Sequence, residues 1–499
     1  MINLVIPAAG AATRLRPLST NTSKVMVRVN GKPCLDYIIE QAKKLTEISQ
    51  IVVVDGQFDD IRNYCERRWP EVTCVKQLAM NGPRDAIKIG MNALKNSSLP
   101  VVVWLGDAII LEENLPMGKD FLLTKKVDNH SSWCMWDGVG GYYNKPSTPI
   151  KDAVALVGLY SFENGVDAEA AFRMTDDYDI SGALYDYTLN YDKTTMCRSF
   201  ESVETTKWYD IGDLPTYYKT CATLLDMKSR AFNRLEYNHD LGTIRKSPDY
   251  HDSESMNTIK SEISWYKALD QNQQCFVPRV VESGNDLIMS FESGTLLSDL
   301  MLYENLTESA WEYIIDKLFR IKLNYFNNRS TDIDFNEKFD DESYDMWFGK
   351  TEKRLRNLDR TYAKIAKIAY RVSHSTRPIS GMHGDLHFGN ILYNQQTDQI
   401  KLFDPRGRYG SVTGTYGDDI YDWAKLSHDV VHGYSAMVNN ASPNEIVKKV
   451  FLKKLDQYGL PVDLIVEAGL VLLATCIPLH YDSEDRQQRF IDYVENYSI

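Results

Sequence analysis

The sequence predicts an α/β protein of two domains: a doubly wound, Rossmann-like parallel sheet in residues 1–228, then a bilobal α+β domain in residues 229–499. Two observations predict this. In the first half, short β-branched runs alternate with amphipathic helices, which is the order of a parallel sheet with crossover helices. In the second half, strand-like pieces precede long helical stretches. The length of 499 residues agrees with two or three domains.

The strands of the first domain are predicted from continuous apolar runs, as expected for parallel strands buried on both faces. These runs are residues 2–6, 51–54, 72–75 and 101–105. Residues 35–45 carry apolar side chains at the spacing of one helical face and predict a helix between the first two strands. Ligands of such sheets bind beyond the carboxyl ends of the strands, and the informative residues fall there.

The second half begins with three pieces that indicate antiparallel strands, at residues 241–246, 275–281 and 286–291. A helix is predicted around residues 311–321, and the chain from residue 296 onward is predicted to be mostly helical. A loop-rich segment at residues 380–417 interrupts it. A small strand-rich lobe followed by a larger helical lobe is the order of kinase-like folds.

Composition excludes several classes of protein. The formal charge of −13 and the pI near 5.3 argue against a general nucleic-acid-binding face. Residues 468–479 are the longest apolar run and are too short to span a bilayer, and residues 1–6 lack the features of a signal peptide. The eight cysteines form no CxxC pair, so we expect reduced thiols and no structural zinc. A cytoplasmic protein without membrane or nucleic-acid partners is expected, and a homo-oligomer is left open.

A loop of small residues follows the first strand. Backbone N–H groups at Ala8, Ala9 and Gly10 could approach phosphate oxygens closely, because small side chains leave room. Arg14 and Lys24 would supply the positive charge that a triphosphate requires. The alternative is a tight turn between strand and helix with two surface cations.

Residues 7–19, Ser23-Lys24 and residues 29–35 resemble the conserved segments of sugar-phosphate nucleotidylyltransferases, and the resemblance runs through about the first 225 residues. Ala12 and Ser23 depart from the usual glycine and proline. The resemblance implies that Arg14 and Lys24 are catalytic and that Ala8 through Gly10 bind the nucleotide.

Further residues of this domain take their roles from the same resemblance. Gln77 and Gly82 would read the base, and Lys145 would hold the sugar phosphate. Asp107 and Asp210 would hold Mg²⁺ or Mn²⁺ against the α-phosphate, a hard-oxygen site that suits these ions. The acceptor phosphate would attack the α-phosphorus in line, with no protein nucleophile.

Residues 382–392 read Met-His-Gly-Asp-Leu-His-Phe-Gly-Asn-Ile-Leu and are the most specific segment of the chain. Asp385, Asn390 and, after a hydrophobic run, Asp404 follow the logic of a phosphoryl-transfer loop. The segment resembles the aminoglycoside phosphotransferase and choline kinase superfamily, over roughly residues 235–480. The resemblance implies that Asp385 accepts the substrate hydroxyl proton and that Asn390 and Asp404 bind Mg²⁺.

Upstream residues fit the same resemblance. Lys246 and Glu262 correspond to the phosphate-binding lysine of this superfamily and the glutamate on the following helix. The alternative is that these two residues form a surface salt bridge. Glu292 lies in a segment similar to the hinge that contacts the adenine. Arg406 departs from the pattern after the metal aspartate. It is expected either to contact a phosphate or the acceptor, or to pair with a carboxylate such as Asp419 or Asp422.

The two resemblances together imply a bifunctional enzyme. One domain would phosphorylate a small sugar, polyol or amino alcohol with ATP, favouring a sugar at its anomeric hydroxyl. The other would couple that phosphate to a nucleotide from a second NTP, with CTP or UTP favoured, giving an NDP-activated precursor of surface polysaccharide. The alternatives are a choline kinase joined to a phosphocholine cytidylyltransferase, and a regulatory protein in which one domain has lost its chemistry.

Overall fold

The computed structural model describes residues 1–174, 179–189, 196–226, 233–238, 241–304, 306–328, 333–375, 377–395 and 397–498. The chain forms two compact units, Met1–Leu224 and Leu225–Ile499. The boundary predicted between residues 228 and 229 lies outside the described residues. The N-terminal unit is built around one large sheet, whereas the described part of the C-terminal unit combines several small sheets with many helices.

The N-terminal unit alternates strands and helices. Its strands are β1 Ile2–Pro7, β2 Arg28–Val29, β3 Lys32–Pro33, β4 Ile48–Asp55, β5 Thr73–Lys76, β6 Val101–Trp104, β7 Ala108–Ile110, β8 Phe121–Lys125, β9 Cys134–Trp136, β10 Tyr142–Asn144, β11 Val154–Phe162, β12 Glu201–Glu204 and β13 Trp208–Asp210. Its helices are α1 Cys34–Leu45, α2 Asp60–Arg68, α3 Gly82–Asn92, α4 Gly165–Met174, α5 Ser181–Thr188 and α6 Leu214–Asp226.

A parallel core in the order β5-β4-β1-β6 confirms the predicted α/β architecture of this unit. Strand β1 lies in the middle of the sheet, and Leu4, Val5 and Ile6 are fully buried. The sheet is mixed rather than wholly parallel, because β11 pairs antiparallel with β6, β8 and β9. The strand ends of β1, β4 and β6 therefore share one edge of the parallel part, where a ligand is expected.

The C-terminal unit has short strands and many helices. Its strands are β14 Asn233–Asn238, β15 Thr243–Pro248, β16 Val280–Ser283, β17 Leu287–Ser290, β18 Thr295–Leu296, β19 Ile379–Gly381, β20 Ile391–Asn394, β21 Gln399–Leu402, β22 Arg408–Tyr409, β23 Val412–Thr413 and β24 Tyr416–Asp418. Its helices are α7 Ser253–Ala268, α8 Leu297–Tyr303, α9 Glu308–Tyr325, α10 Ile333–Tyr344, α11 Lys350–Leu355, α12 Asp359–Ser373, α13 Tyr421–Val430, α14 Tyr434–Asn439, α15 Glu445–Gln457, α16 Val462–Cys476 and α17 Glu484–Asn496.

An antiparallel sheet in the order β14-β15-β17-β16 opens this unit, and helix α7 packs against β15. The strand predicted over residues 275–281 is wrong in its first part, because Gln273–Phe276 form a 3₁₀ turn and β16 begins at Val280. Pro278 supplies the physical reason, since proline has no N–H to donate to a strand ladder. Pairing therefore starts after it.

Helix α16 is the most apolar of the described helices. With the turn that follows it, this helix covers Val462–His480, which is longer than the apolar run at residues 468–479 that the sequence shows. By length and composition alone, this segment could cross a membrane. Of the most apolar 18-residue stretch within it, 56% is buried inside the unit. The helix packs against α13 and α12, and nearly all of residues 468–475 are shielded from solvent. It is a core helix of this unit.

Candidate active sites

The antiparallel pairing of β7 with β13 positions the first site. Asp107 directly precedes β7, and Asp210 ends β13 opposite Ala108 in the ladder. The N–H of Ile211 donates to the carbonyl of Asp107 at 3.1 Å, which continues the pairing past the two carboxylates. Lys24 Nζ donates to Asp107 Oδ2 at 2.6 Å. The structure thus brings together three residues that lie far apart in the sequence.

The electrostatics of this group favour a cation between the carboxylates. Burial and the charge of Asp107 raise the pKa of Asp210 to about 6, against the lowering effect of Lys24. Two carboxylates that repel each other are the donor set that a hard divalent ion prefers, so the residues fit Mg²⁺ or Mn²⁺. Within the described part of the chain no group of three or more His, Cys, Asp or Glu side chains is arranged so that it could hold a metal ion, and at this site the chain offers the two carboxylates of Asp107 and Asp210.

Asp60 fixes the loop that carries Lys24. Its carboxylate accepts hydrogen bonds from Ser23 N at 2.6 Å, Ser23 Oγ at 2.6 Å and Thr22 Oγ1 at 2.7 Å. The expected proline before Lys24 is thus replaced by a serine that a distant carboxylate holds in place. Sequence reasoning missed Asp60, because nothing near residue 60 indicates a contact with residue 23.

The loop after β1 has the geometry of a close backbone approach. Ala8 and Ala9 are buried and Gly10 is exposed. Ala12 adopts a left-handed conformation with φ 48°, which glycine adopts readily and alanine does not. The substitution of glycine by alanine therefore leaves the backbone in the conformation that glycine favours, at a local cost in strain.

In the part of the chain that the structure describes, Arg14, Gln77, Gly82 and Lys145 make no hydrogen bond or ion pair with Lys24, Asp107 or Asp210. Gln77 Nε2 donates to Asp85 Oδ2 at 2.8 Å and to the carbonyl of Gly82 at 3.3 Å, so Gln77 and Gly82 are adjacent. Arg14 and Lys145 are exposed, and neither makes a side-chain hydrogen bond or ion pair with any residue that the structure describes.

In the C-terminal unit, Lys246 on β15 connects two predicted carboxylates. Its Nζ lies 2.7 Å from Glu262 Oε2 on α7 and 2.9 Å from Asp404 Oδ1. The Lys246 and Glu262 side chains are 9% and 2% exposed, which excludes the surface salt bridge considered as an alternative. Burial raises the pKa of Glu262 to about 7, against the effect of Lys246. Asp404 has φ 55°, a strained backbone that often marks functional positions.

Asn390 and Asp385 form a second contact in this unit. Asn390 Nδ2 donates to the backbone carbonyl of Asp385 at 2.9 Å and to its Oδ2 at 3.1 Å. Asp385 Oδ1 pairs with Lys425 Nζ at 2.8 Å. Burial acts to raise the pKa of Asp385, but the charges of Lys425 and His387 outweigh it and hold that pKa below its ordinary value. Asp385 is therefore ionised and 38% of its side chain remains accessible.

Helix α13 braces the loop of Asp385 with three charged residues on one face. Asp422 accepts from the N–H groups of His383 at 2.9 Å and Gly384 at 2.8 Å, and Asp429 accepts from Phe388 N at 3.0 Å. Lys425 lies between them and pairs with Asp385. Sequence reasoning named Asp422 only as a possible partner of Arg406, and it missed Lys425 and Asp429. Their signal is the i, i+3, i+7 spacing of charged residues in an otherwise buried helix.

Asp422 is itself part of a buried ion pair. Lys322 Nζ on α9 lies 3.1 Å from Asp422 Oδ2, and the side chains are 2% and 1% exposed. The same ammonium donates to the carbonyls of Gly381 at 2.6 Å and Phe326 at 3.1 Å. Through these contacts Lys322 supports the start of the Asp385 loop.

Arg406 does not form the ion pair considered as its alternative. Asp422 is engaged by Lys322, and Asp419 Oδ1 accepts from Ser380 Oγ at 2.8 Å. Arg406 Nη1 instead donates to Tyr421 Oη at 3.1 Å. Glu292, the predicted hinge residue, accepts from Ser290 Oγ at 2.6 Å and makes no hydrogen bond or ion pair with Lys246 or Asp404.

The fold and these sites define the N-terminal unit as a Rossmann-like α/β domain with a lysine and two carboxylates beyond its strand ends. A family model described as nucleotidyl transferase matches residues 3–130. A 2-aminoethylphosphonate cytidylyltransferase of Lancefieldella rimae is 36% identical over 181 residues, which are 35% of this chain and 72% of that protein. The chain belongs to the nucleotidyl transferase family through this unit.

Other known proteins are similar over shorter stretches. A choline-phosphate cytidylyltransferase of Streptococcus pneumoniae is 38% identical over 65 residues, 13% of this chain and 28% of that protein. The bifunctional protein GlmU of Methanococcus aeolicus is 27% identical over 175 residues, 33% of this chain and 41% of that protein. The chain thus spans less than half the length of these two relatives. A solved UDP-glucose pyrophosphorylase from Acinetobacter baumannii covers 45% of this chain and 93% of its own, with 18% identity and a TM-score of 0.38.

Proposed function

We propose that the protein is a bifunctional cytoplasmic enzyme. The C-terminal unit phosphorylates a hydroxyl group of a small metabolite with ATP, and the N-terminal unit transfers a nucleotidyl group from a second NTP to the phosphate so formed. The product is an NDP-activated precursor of the kind used for surface polysaccharides. Membership of the nucleotidyl transferase family supports the second reaction.

In the N-terminal reaction, an oxygen of the acceptor phosphate attacks the α-phosphorus of the NTP. The bond between the α-phosphorus and the oxygen that bridges to the β-phosphorus breaks, and pyrophosphate leaves. Lys24 offsets negative charge that builds on the α-phosphate, with Arg14 and the loop Ala8 to Gly10 holding the phosphates. The NTP is CTP in this proposal, since two of the relatives are named cytidylyltransferases. Mg²⁺ bound by Asp107 and Asp210 would supply charge compensation there.

The contact of Lys246 with both Glu262 and Asp404 carries the proposal of a kinase. It is the arrangement of the phosphate-binding lysine, helix glutamate and metal aspartate that phosphoryl transfer uses. In that step the acceptor hydroxyl oxygen bonds to the γ-phosphorus of ATP, the bond to the β–γ bridging oxygen breaks, and ADP leaves. Asp385 receives the hydroxyl proton and passes it to solvent. Asn390 and Asp404 are the residues that would bind the metal ion.

A choline kinase joined to a phosphocholine cytidylyltransferase is the second candidate. The Streptococcus pneumoniae relative, a choline-phosphate cytidylyltransferase by name, favours it for the N-terminal unit. In both candidates the kinase creates a phosphomonoester and the transferase consumes one. They differ in the acceptor, so the same assay distinguishes them.

The test uses the whole protein with ATP, CTP, Mg²⁺ and a panel of sugars, polyols and amino alcohols including choline. ADP, pyrophosphate and a CDP-linked product should appear together with one class of acceptor. Omission of ATP should abolish the CDP-linked product, and addition of the phosphorylated acceptor should restore it. A transferase that rejects the phosphate made by the kinase, while using another efficiently, would refute the sequential pathway.

Two substitutions separate the reactions. Asp385→Asn removes the proton acceptor and should lower ADP formation by about 10²–10⁴-fold while pyrophosphate release from the phosphorylated acceptor persists. Lys24→Ala should lower pyrophosphate release by about 10²-fold or more and leave ADP formation intact. Loss of both activities in either folded variant would show that the assignment of two sites is wrong.

A further inference from the structure

Both oxygens of the Asp385 carboxylate are engaged by other side chains. Oδ1 lies 2.8 Å from Lys425 Nζ, and Oδ2 accepts a hydrogen bond from Asn390 Nδ2 at 3.1 Å. An ionised carboxylate offers about four acceptor positions, so these two contacts leave positions free for a substrate hydroxyl. With one fixed contact on each oxygen, the plane of the carboxylate is set. The 38% of this side chain that solvent reaches is therefore presented in one orientation.

Helix α13, which carries Lys425, is itself attached to the loop of Asp385. Asp422 and Asp429 on this helix accept hydrogen bonds from backbone N–H groups that precede and follow Asp385 in the loop. Positions i, i+3 and i+7 of a helix share one face, so Lys425 lies between these two attachments. The backbone contacts therefore fix the distance between the ammonium group of Lys425 and the carboxylate that it meets.

Stability of the fold does not account for the contact of Lys425. Its side chain is only 12% exposed, and removal of an ammonium group from water is costly. Among the residues that the structure describes, Asp385 alone places a carboxylate within 4.0 Å of Lys425 Nζ, and that carboxylate is partly hydrated, so the pair returns little. Asp422 and Asp429 already hold the loop on the helix without it. What the contact adds is the orientation of Asp385.

We propose that Lys425 is a positioning residue for phosphoryl transfer, which acts through its ion pair by orienting the Asp385 carboxylate toward the acceptor hydroxyl. This inference rests on the proposed kinase function and adds a residue to that same site. The contacts assigned to ATP and its metal ion are made by Lys246, Glu262 and Asp404, and none of these pairs with Lys425 in the part of the chain that the structure describes. The effect of Lys425 on the reaction therefore passes through Asp385.

The test measures ADP formation by the intact protein with ATP, Mg²⁺ and the panel of sugars, polyols and amino alcohols that includes choline. Lys425→Met keeps the length of the side chain and removes its charge, so kcat should fall about 10- to 100-fold while the KM for ATP stays unchanged. In protein that already carries Asp385→Asn, the same substitution should lower kcat by less than about threefold, since the two residues act as one unit. Additive losses in the double variant, an unchanged kcat in Lys425→Met, or a raised KM for ATP would each overturn the proposal.

Lys454→Met is the matched control. Lys454 on α15 pairs with Asp316 at 2.8 Å, and the side chains are 14% and 21% exposed, so this variant loses an ammonium group of similar burial from an ion pair outside the loop of Asp385. ADP formation should be unchanged in it.

Unfolding in urea, followed by hydrogen exchange of α13 peptides, shows whether Lys425→Met damages the fold. Its midpoint should stay near that of the unaltered protein, because water reaches Asp385 when its partner is lost. A larger fall than in Lys454→Met would reveal a structural role and overturn the proposal. Absence of ADP formation in the unaltered protein with every acceptor would refute the proposed kinase function and this inference with it, whereas ADP formation that survives Lys425→Met would refute this inference alone.

Discussion

The buried pair of Lys322 and Asp422 offers the sharpest test of how the C-terminal unit holds the loop of Asp385. Lys322→Met keeps the length of the side chain and removes its charge. Asp422 then stays buried, 1% exposed, with two N–H donors but no cation. Removal of one partner from a buried ion pair costs about 3–5 kcal/mol. That is a large part of a typical stability of about 5–15 kcal/mol.

The assay is hydrogen exchange by mass spectrometry on the intact protein across a urea series, which reports each unit separately. Peptides from β19 and α13 should lose about 3–5 kcal/mol of protection, because Lys322 also binds the carbonyl of Gly381. Peptides from β1 and β4 should be unaffected. Adding Asp422→Asn to Lys322→Met should restore part of the loss, since no orphan charge remains.

Lys449→Met is the matched control. Lys449 pairs with Glu308 at 2.9 Å, but the side chains are 67% and 44% exposed, so water replaces the lost partner. We expect a change far smaller than that of Lys322→Met. A loss below about 1 kcal/mol for Lys322→Met, or similar losses in both variants, would refute the reasoning that burial of the charge sets the cost.

Three further predictions concern the loop of Lys24, pH and metal. Asp60→Ala should lower pyrophosphate release about tenfold or more without changing ADP formation, because Ser23 loses the carboxylate that holds it. Equal loss of pyrophosphate release and ADP formation would contradict this role of Asp60. His432 is buried with a pKa lowered by burial to about 4, so the unfolded chain, with its ordinary pKa near 6.5, binds the proton first as pH falls. His432 should therefore contribute about 2 kcal/mol to the loss of stability between pH 7 and 5, so the pH dependence measured by urea titrations at both pH values should differ by about that amount between the unaltered protein and His432→Gln. EDTA should stop both reactions yet leave the midpoint of thermal unfolding unchanged, since the divalent metal ions would bind substrate phosphates and would not hold the fold together. A large fall in that midpoint would argue against Asp107 and Asp210 as metal ligands.

Residues at strand ends were predictable, because a short apolar run and the residue that ends it can be recognised from neighbouring positions in the sequence. Asp107 and Asp210 are such cases, and the pairing of β7 with β13 explains their meeting. Lys24 lies in the loop that follows β1 and was predicted from its charge and from the family resemblance instead. Asp60 was not predictable, because its contact joins residues 37 positions apart and depends on how α2 packs. The roles of the site residues stay predictions until the substitutions above are measured.

Charged residues within α13 show the other limit. The spacing of Asp422, Lys425 and Asp429 is visible in the sequence, but it does not say whether that face meets solvent or a loop. Only tertiary packing reveals that the face is buried against residues 383–388. Conversely, the strand predicted from residue 275 could have been corrected from the sequence, since Pro278 interrupts any ladder there.

Helix α16 has a consequence for how the protein is made. A chain leaving the ribosome exposes this stretch with an apolar composition that resembles a membrane-inserting segment, spanning Val462–His480. The two helices that contact it most, α12 and α13, precede it in the chain and have already been synthesised when it emerges. Much of its apolar surface can therefore be covered before α17 follows, which shortens the interval in which insertion machinery or aggregation competes with folding.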